Sequence, residues 1–129
     1  MRKLLVLTFT LACMLFCHAQ CQAADVNSVK ATIVKHAIEM GVDPAIALSI
    51  ARTESGFRHE ARSSHGAVGV FQLMPSTARR MGYNPYSLNE NIKAGITYYK
   101  KMYNMFGSVE LALAAYNAGP GNVKRYNSI

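Results

Sequence analysis

The amino-acid sequence predicts one compact, mainly α-helical domain with a short irregular or hairpin segment near residues 63–73. Three observations lead to this fold class. Apolar residues recur at helical spacing through most of the chain after residue 24. Glycine or proline stands at the ends of these periodic segments. The periodicity fails between Arg58 and Leu73, where Gly66 and Gly69 indicate a tight turn or a short hairpin.

The N-terminal residues 1–23 have the layout of a secretory signal peptide. Residues 1–3 are basic at two positions, Leu4 to Cys17 is apolar and uncharged, and small or polar residues follow. This apolar run is shorter than the roughly 20 residues that a transmembrane helix needs. We therefore expect an exported protein whose mature domain is residues 24–129. The cysteines lie in the signal or at its edge, so no disulfide is expected in the mature domain: Cys13, Cys17 and Cys21.

The first two helices are predicted from their end signals. Apolar residues between Val26 and Met40 follow helical spacing, and Gly41 ends that segment. Asp43 is a good N-cap for the second helix, and Pro44 suits its first position. Gly56 lies just past its end.

Three helical segments are predicted after the irregular region. A short one covers about Ser76 to Met81, and a long amphipathic one runs from Leu88 to Phe106. Ser108 caps the next, which ends at the break formed by residues 118–121. Residues 122–129 are expected to add one helical turn.

Glu54 stands where the second helix calls for an apolar side chain. The inward stripe of that helix leads to it in steps of three or four residues, through Ile46, Ala47, Ile50 and Ala51. Burial and the negative end of the helix dipole would both raise the pKa of a carboxyl group here. A carboxyl group that stays protonated near neutral pH suits a glycosidic general acid. The competing interpretation is a frayed helix end at which Glu54 points into water.

Four short segments then form a recognisable pattern. They are Glu54-Ser55-Gly56-Phe57, residues 66–78 (GAVGVFQLMPSTA), Asn84-Pro85 with Asn91-Ile92-x-x-Gly95, and residues 114–120 (AAYNAGP). By their order and spacing, residues 42–126 resemble the catalytic domain of soluble lytic transglycosylases, the lysozyme-like family that cleaves peptidoglycan. One such segment alone would be weak evidence, whereas four in register are specific.

The resemblance implies a lysozyme-like α+β fold and a lyase reaction on peptidoglycan. Glu54 would protonate the β-1,4 bond between N-acetylmuramic acid and N-acetylglucosamine, and would then deprotonate the 6-hydroxyl to close a 1,6-anhydro ring. Water is not a reactant, so no second carboxylate is needed to activate it. Neither a cofactor nor a metal is implied.

The resemblance also suggests six substrate-binding residues, namely Ser55, Ser63, Gln72, Met74, Tyr116 and Asn117. Each has an ordinary structural explanation as well. The serines commonly make local backbone hydrogen bonds, and the glutamine would suit loop packing. The methionine and the tyrosine would suit a core, and the asparagine a helix cap.

The expected partners are peptidoglycan glycan strands in the periplasm or cell envelope, with a secretion, conjugation or pilus apparatus as a further partner. The protein is expected to act as a monomer. Its net charge is +7 but its basic residues are scattered, so nucleic acid is not expected as a partner.

Two alternatives stay open from the sequence. A goose-type lysozyme hydrolase would need a second carboxylate, for which Glu60 is the local candidate. A non-catalytic peptidoglycan-binding assembly protein is the other, because the family usually continues beyond the position of Ile129 with a closing helix.

Arg58-His59 also departs from the family's usual Asn or Asp followed by Pro. The histidines of the mature domain are expected at the surface: His36, His59 and His65.

Overall fold

The computed structural model describes residues 25–127, which form a mainly helical domain as the sequence predicts. The helices in this part of the chain are α1 (25–39), α2 (Pro44–Ser55), α3 (Pro75–Arg80), α4 (Leu88–Phe106), α5 (Val109–Ala118) and α6 (Pro120–Asn127). No helix within these residues is long and apolar enough to cross a membrane. The predicted signal peptide, residues 1–23, lies outside the described residues.

The helix ends follow the local chemistry of the sequence. Asp43 caps α2 by accepting a hydrogen bond from the Ala45 N–H at 2.9 Å. Gly56 ends the same helix with a left-handed φ of 60°. Ser108 caps α5, as predicted. One prediction was too short: α6 starts at Pro120 and makes about two turns, because proline is well suited to the first helical position.

The segment between α2 and α3 is a compact turn structure built around Val68. Val68 makes isolated antiparallel bridges to Arg62 and to Leu73, so the predicted hairpin exists only as single bridges. Gly69 adopts a φ of 81°, and a side-chain carbon there would collide with Asn91 and His59. We call residues 59–74 the active-site loop below, since they face the end of α2.

The core lies around α4, against which the active-site loop is pressed. Phe71 is fully buried and contacts the backbone of α4 where Gly95 leaves room for its ring. Ile92 and Ile96, one on either side of that glycine, are also buried. The loop is therefore attached to the most buried helix of the domain, even though it has almost no regular secondary structure.

A fully buried amide provides the polar part of this attachment. Asn91 Oδ1 accepts the Phe71 N–H at 2.9 Å, and its Nδ2 donates to the carbonyl oxygens of Val68 and Pro85, each at 2.9 Å. The loop and the turn before α4 are thus joined by one side chain. Because buried backbone groups need partners, this amide substitutes for the sheet that the loop does not form.

One of these histidines is buried, and a second is half-buried. His36 is only 6% exposed, and its ring nitrogens lie 3.3 Å from Glu39 Oε2 and 3.1 Å from Asn89 Oδ1. The expectation of an exposed His36 was wrong because α1 turns this residue toward the first turn of α4. His59 is half-buried, with Nε2 2.8 Å from the Tyr86 carbonyl oxygen.

Candidate active site

Glu54 lies in the last turn of α2 and is half-buried. Its helix buries Ala47, Ile50 and Ala51 on the side that leads to it, as the apolar stripe predicts. The carboxyl group has no hydrogen-bond or ion-pair partner among residues 25–127, and burial raises its pKa above the usual value. An unpaired, partly desolvated carboxyl group holds its proton more readily than an exposed one. The arrangement suits a general acid.

Tyr116 on α5 lies close enough to Glu54 for the charge of the carboxylate to affect the pKa of its phenol. Burial raises the pKa of its phenol well above the usual value, with smaller contributions from Glu54 and then from Tyr98. The phenol oxygen donates to the Phe71 carbonyl at 2.8 Å, so it holds the active-site loop and not the carboxyl group directly. Tyr98 packs edge-on against the ring, with centroids 5.2 Å apart. The structure thus brings Tyr116 beside Glu54 with its proton retained.

Ser55 and Gln72 have their polar groups engaged with backbone. The Ser55 hydroxyl is 2.6 Å from the Val70 carbonyl oxygen, and the residue is only 4% exposed. Gln72 donates from Nε2 to the carbonyls of Ala61 and Gly69 at 3.0 Å and 2.9 Å, from a left-handed backbone with a φ of 49°. This geometry favours the backbone role for both side chains over direct contact with a sugar.

Ser63, Met74 and Asn117 remain accessible. The Ser63 hydroxyl accepts the Ala67 N–H at 2.9 Å while the residue stays exposed. Met74 is 42% exposed just before α3. Asn117 is exposed on the last turn of α5, where the backbone N–H of Gly119 provides the cap. These three side chains are exposed, so a ligand could reach them.

Two features of the site were not assigned roles from the sequence. Asn91 belongs to a recognised segment, yet only the fold shows that its amide holds the loop beside Glu54. Its signal was a polar residue next to Ile92 on the apolar side of α4. Tyr98 gave no signal beyond helical spacing. No cluster of three or more potential metal ligands occurs within residues 25–127.

Glu54→Gln is expected to stabilise the protein more at pH 7 than at pH 4. Because burial raises the pKa of Glu54 in the folded state, the folded protein binds more protons than the unfolded chain between the two pKa values. The stability of the wild type therefore falls as the pH rises through that window, whereas glutamine does not titrate.

Urea unfolding of both proteins from pH 4 to pH 8 measures this difference. The gain in free energy of unfolding of Glu54→Gln over the wild type should appear above about pH 4.3, which is the pKa of a glutamate in an unfolded chain. A gain of the same size at every pH would contradict the raised pKa. Glu60→Gln provides the comparison with an exposed carboxylate.

Comparison with known proteins gives consistent matches. The family model described as "Transglycosylase SLT domain" matches residues 31–129. The "Transglycosylase" of Enterobacteria phage PRD1 is 34% identical over 89 residues, which cover 68% of this chain and 34% of that protein. The "Soluble lytic murein transglycosylase" of Escherichia coli K12 is 36% identical over 97 residues, covering 66% of this chain and 15% of that protein.

Solved structures agree with these sequence matches. The lytic transglycosylase Slt of Pseudomonas aeruginosa, an inactive mutant, superposes with a TM-score of 0.67 at 36% identity, covering 74% of this chain and 17% of that one. The 70-kDa soluble lytic transglycosylase of Escherichia coli gives a TM-score of 0.63 at 33% identity, covering 67% and 16%. The lysozyme-like, mainly helical fold class predicted from the sequence is confirmed. The chain spans about a sixth to a third of the length of these relatives.

Proposed function

Because the chain belongs to the transglycosylase SLT domain family, we propose that it cleaves peptidoglycan as a lytic transglycosylase. The observation that carries this proposal is the state of Glu54. Its carboxyl group is unpaired and half-buried next to Tyr116, and burial raises its pKa. The substrate is the glycan strand, and the bond is the β-1,4 link from N-acetylmuramic acid to N-acetylglucosamine.

In the first step, protonated Glu54 gives its proton to the glycosidic oxygen. The bond from the anomeric carbon of N-acetylmuramic acid to that oxygen breaks, and N-acetylglucosamine leaves with a new hydroxyl group. The acetamido group of the substrate stabilises the positive charge at the anomeric carbon. A raised pKa favours this step because the carboxyl group must start protonated.

In the second step, ionised Glu54 acts as a base. It removes the proton of the 6-hydroxyl of N-acetylmuramic acid, whose oxygen attacks the anomeric carbon and closes the 1,6-anhydro ring. Glu54 is protonated again at the end, so the cycle consumes no water. One carboxyl group is sufficient for both steps, which agrees with Glu60 being exposed on the active-site loop.

The surrounding side chains divide between the loop and the substrate in this proposal. Ser55, Gln72 and Tyr116 donate to backbone carbonyls of the loop and so hold it in place. Met74, Ser63 and Asn117 keep accessible groups for the sugars. The protein would work as a monomer in the periplasm or cell envelope.

The biological role proposed is local opening of the cell wall for a secretion, conjugation or pilus apparatus, or for a phage. The similarity to a transglycosylase of Enterobacteria phage PRD1 supports the phage alternative. A deletion strain that loses transfer through such an apparatus and recovers it with wild type, but not with Glu54→Gln, would support this role. Equal recovery by both would contradict it.

The reaction itself is tested by mass spectrometry of peptidoglycan digested with the purified protein. Products that end in 1,6-anhydro-N-acetylmuramic acid are expected. Products with reducing ends would show hydrolysis of the goose-type lysozyme kind, and the loss of turnover in Glu60→Gln would then identify its second carboxylate. No release of products, together with retained binding to peptidoglycan, would indicate a non-catalytic wall-binding protein.

A further inference from the structure

A pocket lies at the end of α2 away from Glu54. It has a volume of about 330 Å³ and is bounded by the turn between α1 and α2, by the second half of α4 and by the start of α5. Asp43, at its edge, precedes Glu54 by eleven helical steps, or about 16 Å along the axis of α2. The residues that line this pocket are not the predicted site residues. It is therefore separate from the site around Glu54.

One wall of the pocket carries a hydroxyl group that has no partner within the described residues. Tyr99 is only 5% exposed, and its hydroxyl has no hydrogen-bond partner among residues 25–127. Among residues 25–127, His59 Nδ1 is the one side-chain polar atom that is both fully buried and without a hydrogen-bond partner. The unpartnered Tyr99 oxygen is therefore not fully buried, and it reaches solvent through the pocket that Tyr99 lines. Burial, Tyr103 and Asp43 raise the pKa of Tyr99, which keeps the hydroxyl as a donor.

The walls of the pocket combine an aromatic face with polar groups. Tyr103 is 43% exposed, and its ring centroid lies 6.3 Å from that of Tyr99. Val109 adds an exposed apolar surface, and Asn104 offers an exposed amide without a partner in the described residues. A pyranose ring has this mixture of surfaces, since its C–H face packs on an aromatic ring while its substituents hydrogen-bond at the edge.

The charges in the pocket favour a neutral ligand. Asp43 brings one negative charge and accepts the Ala45 N–H, while Lys100 brings one positive charge and donates to the Met40 carbonyl at 2.9 Å. The two formal charges cancel, and each group is already held by the backbone. N-acetylglucosamine is neutral, whereas N-acetylmuramic acid carries a lactyl group with a carboxylate or a peptide.

We propose that this pocket is a second carbohydrate site, which holds one N-acetylglucosamine ring of a glycan strand away from Glu54. The choice of sugar rests on the proposed function, while the existence of the site rests on the pocket. A second binding site for the polymer would keep a small catalytic domain bound to the wall between cleavage events.

The test is a titration of the isotope-labelled Glu54→Gln protein with the N-acetylglucosamine trimer, followed by amide chemical shifts. Saturable shifts are expected at residues 99–104 and at Val109. Tyr103→Ala and Asn104→Ala, made in the same background, should each weaken binding at this site about tenfold or more. Tyr126→Ala, which removes a ring that is 78% exposed elsewhere, should leave it unchanged.

The outcomes separate this inference from the proposed function. Shifts confined to the surroundings of Glu54, or shifts in the pocket with a stem peptide but not with the sugar, would overturn the second site and leave the enzyme intact. Shifts in the pocket, together with a wild-type protein that releases no products from peptidoglycan, would support the site and contradict the enzyme. Two separate variants guard against one that fails to fold, and dispersed amide spectra confirm the fold of each.

Discussion

Glu54→Gln is expected to reduce the release of anhydromuropeptides by about 10²–10⁴-fold or more, since glutamine neither donates nor accepts the proton in either step. The amide keeps the shape of the side chain, and Glu54 has no polar partner among residues 25–127 that the change would disturb. The folded structure should therefore persist. The measurement is the initial rate of product release from purified peptidoglycan, resolved by mass spectrometry.

The pH dependence of the wild type adds a second measurement. The first step needs the protonated acid, and burial raises the pKa of Glu54. We therefore expect kcat/KM to stay high at pH values above the pKa of an ordinary glutamate. It should fall as the pH rises through the raised pKa. Glu60→Gln is the matched control and should keep its turnover. Retained activity in Glu54→Gln would remove Glu54 from the mechanism.

Asn91→Ala is expected to lower the free energy of unfolding by about 2–5 kcal/mol, since a buried group that loses its partner costs about 1–3 kcal/mol. Two groups would be left without a partner, the Phe71 N–H and the Pro85 carbonyl. The Val68 carbonyl still accepts the Leu73 N–H at 3.2 Å. The loop that faces Glu54 should loosen, so turnover should fall as well.

Chemical unfolding measures the stability, and hydrogen exchange at the Phe71 amide measures the loop. Asn104→Ala makes the same chemical change at an exposed position of α4 and should leave both unchanged. If Asn91→Ala matched Asn104→Ala in stability and in exchange at Phe71, the amide would not be what holds the loop.

The positions of the helices could be predicted because their signals are local. Asp43 and Gly56 mark the ends of α2 by contacts within a turn, and Ser108 does the same at the start of α5. The one underestimated helix, α6, depended on whether Pro120 would break the chain or begin a new helix. A local pattern does not decide between those two, because the φ of proline fits both.

The partners of the site residues could not be predicted, because their contacts join distant parts of the chain. Ser55 bonds to Val70, 15 residues away, and Tyr116 bonds to Phe71, 45 residues away. From the sequence, each side chain had a role at the sugar and a role in packing. The fold places both hydroxyls on backbone carbonyls of the active-site loop.

The sequence was sufficient to predict the helices, the family resemblance and Glu54 as the candidate acid, because periodicity, caps and motif spacing depend on residues that are near one another in the chain. The surroundings of that acid depend on the tertiary structure. Glu54 is half-buried and has no hydrogen-bond partner in the described chain, while Asn91 and Tyr116 hold the loop beside it. Only the fold also reveals the pocket around Tyr99, since it assembles from three elements that no local pattern connects.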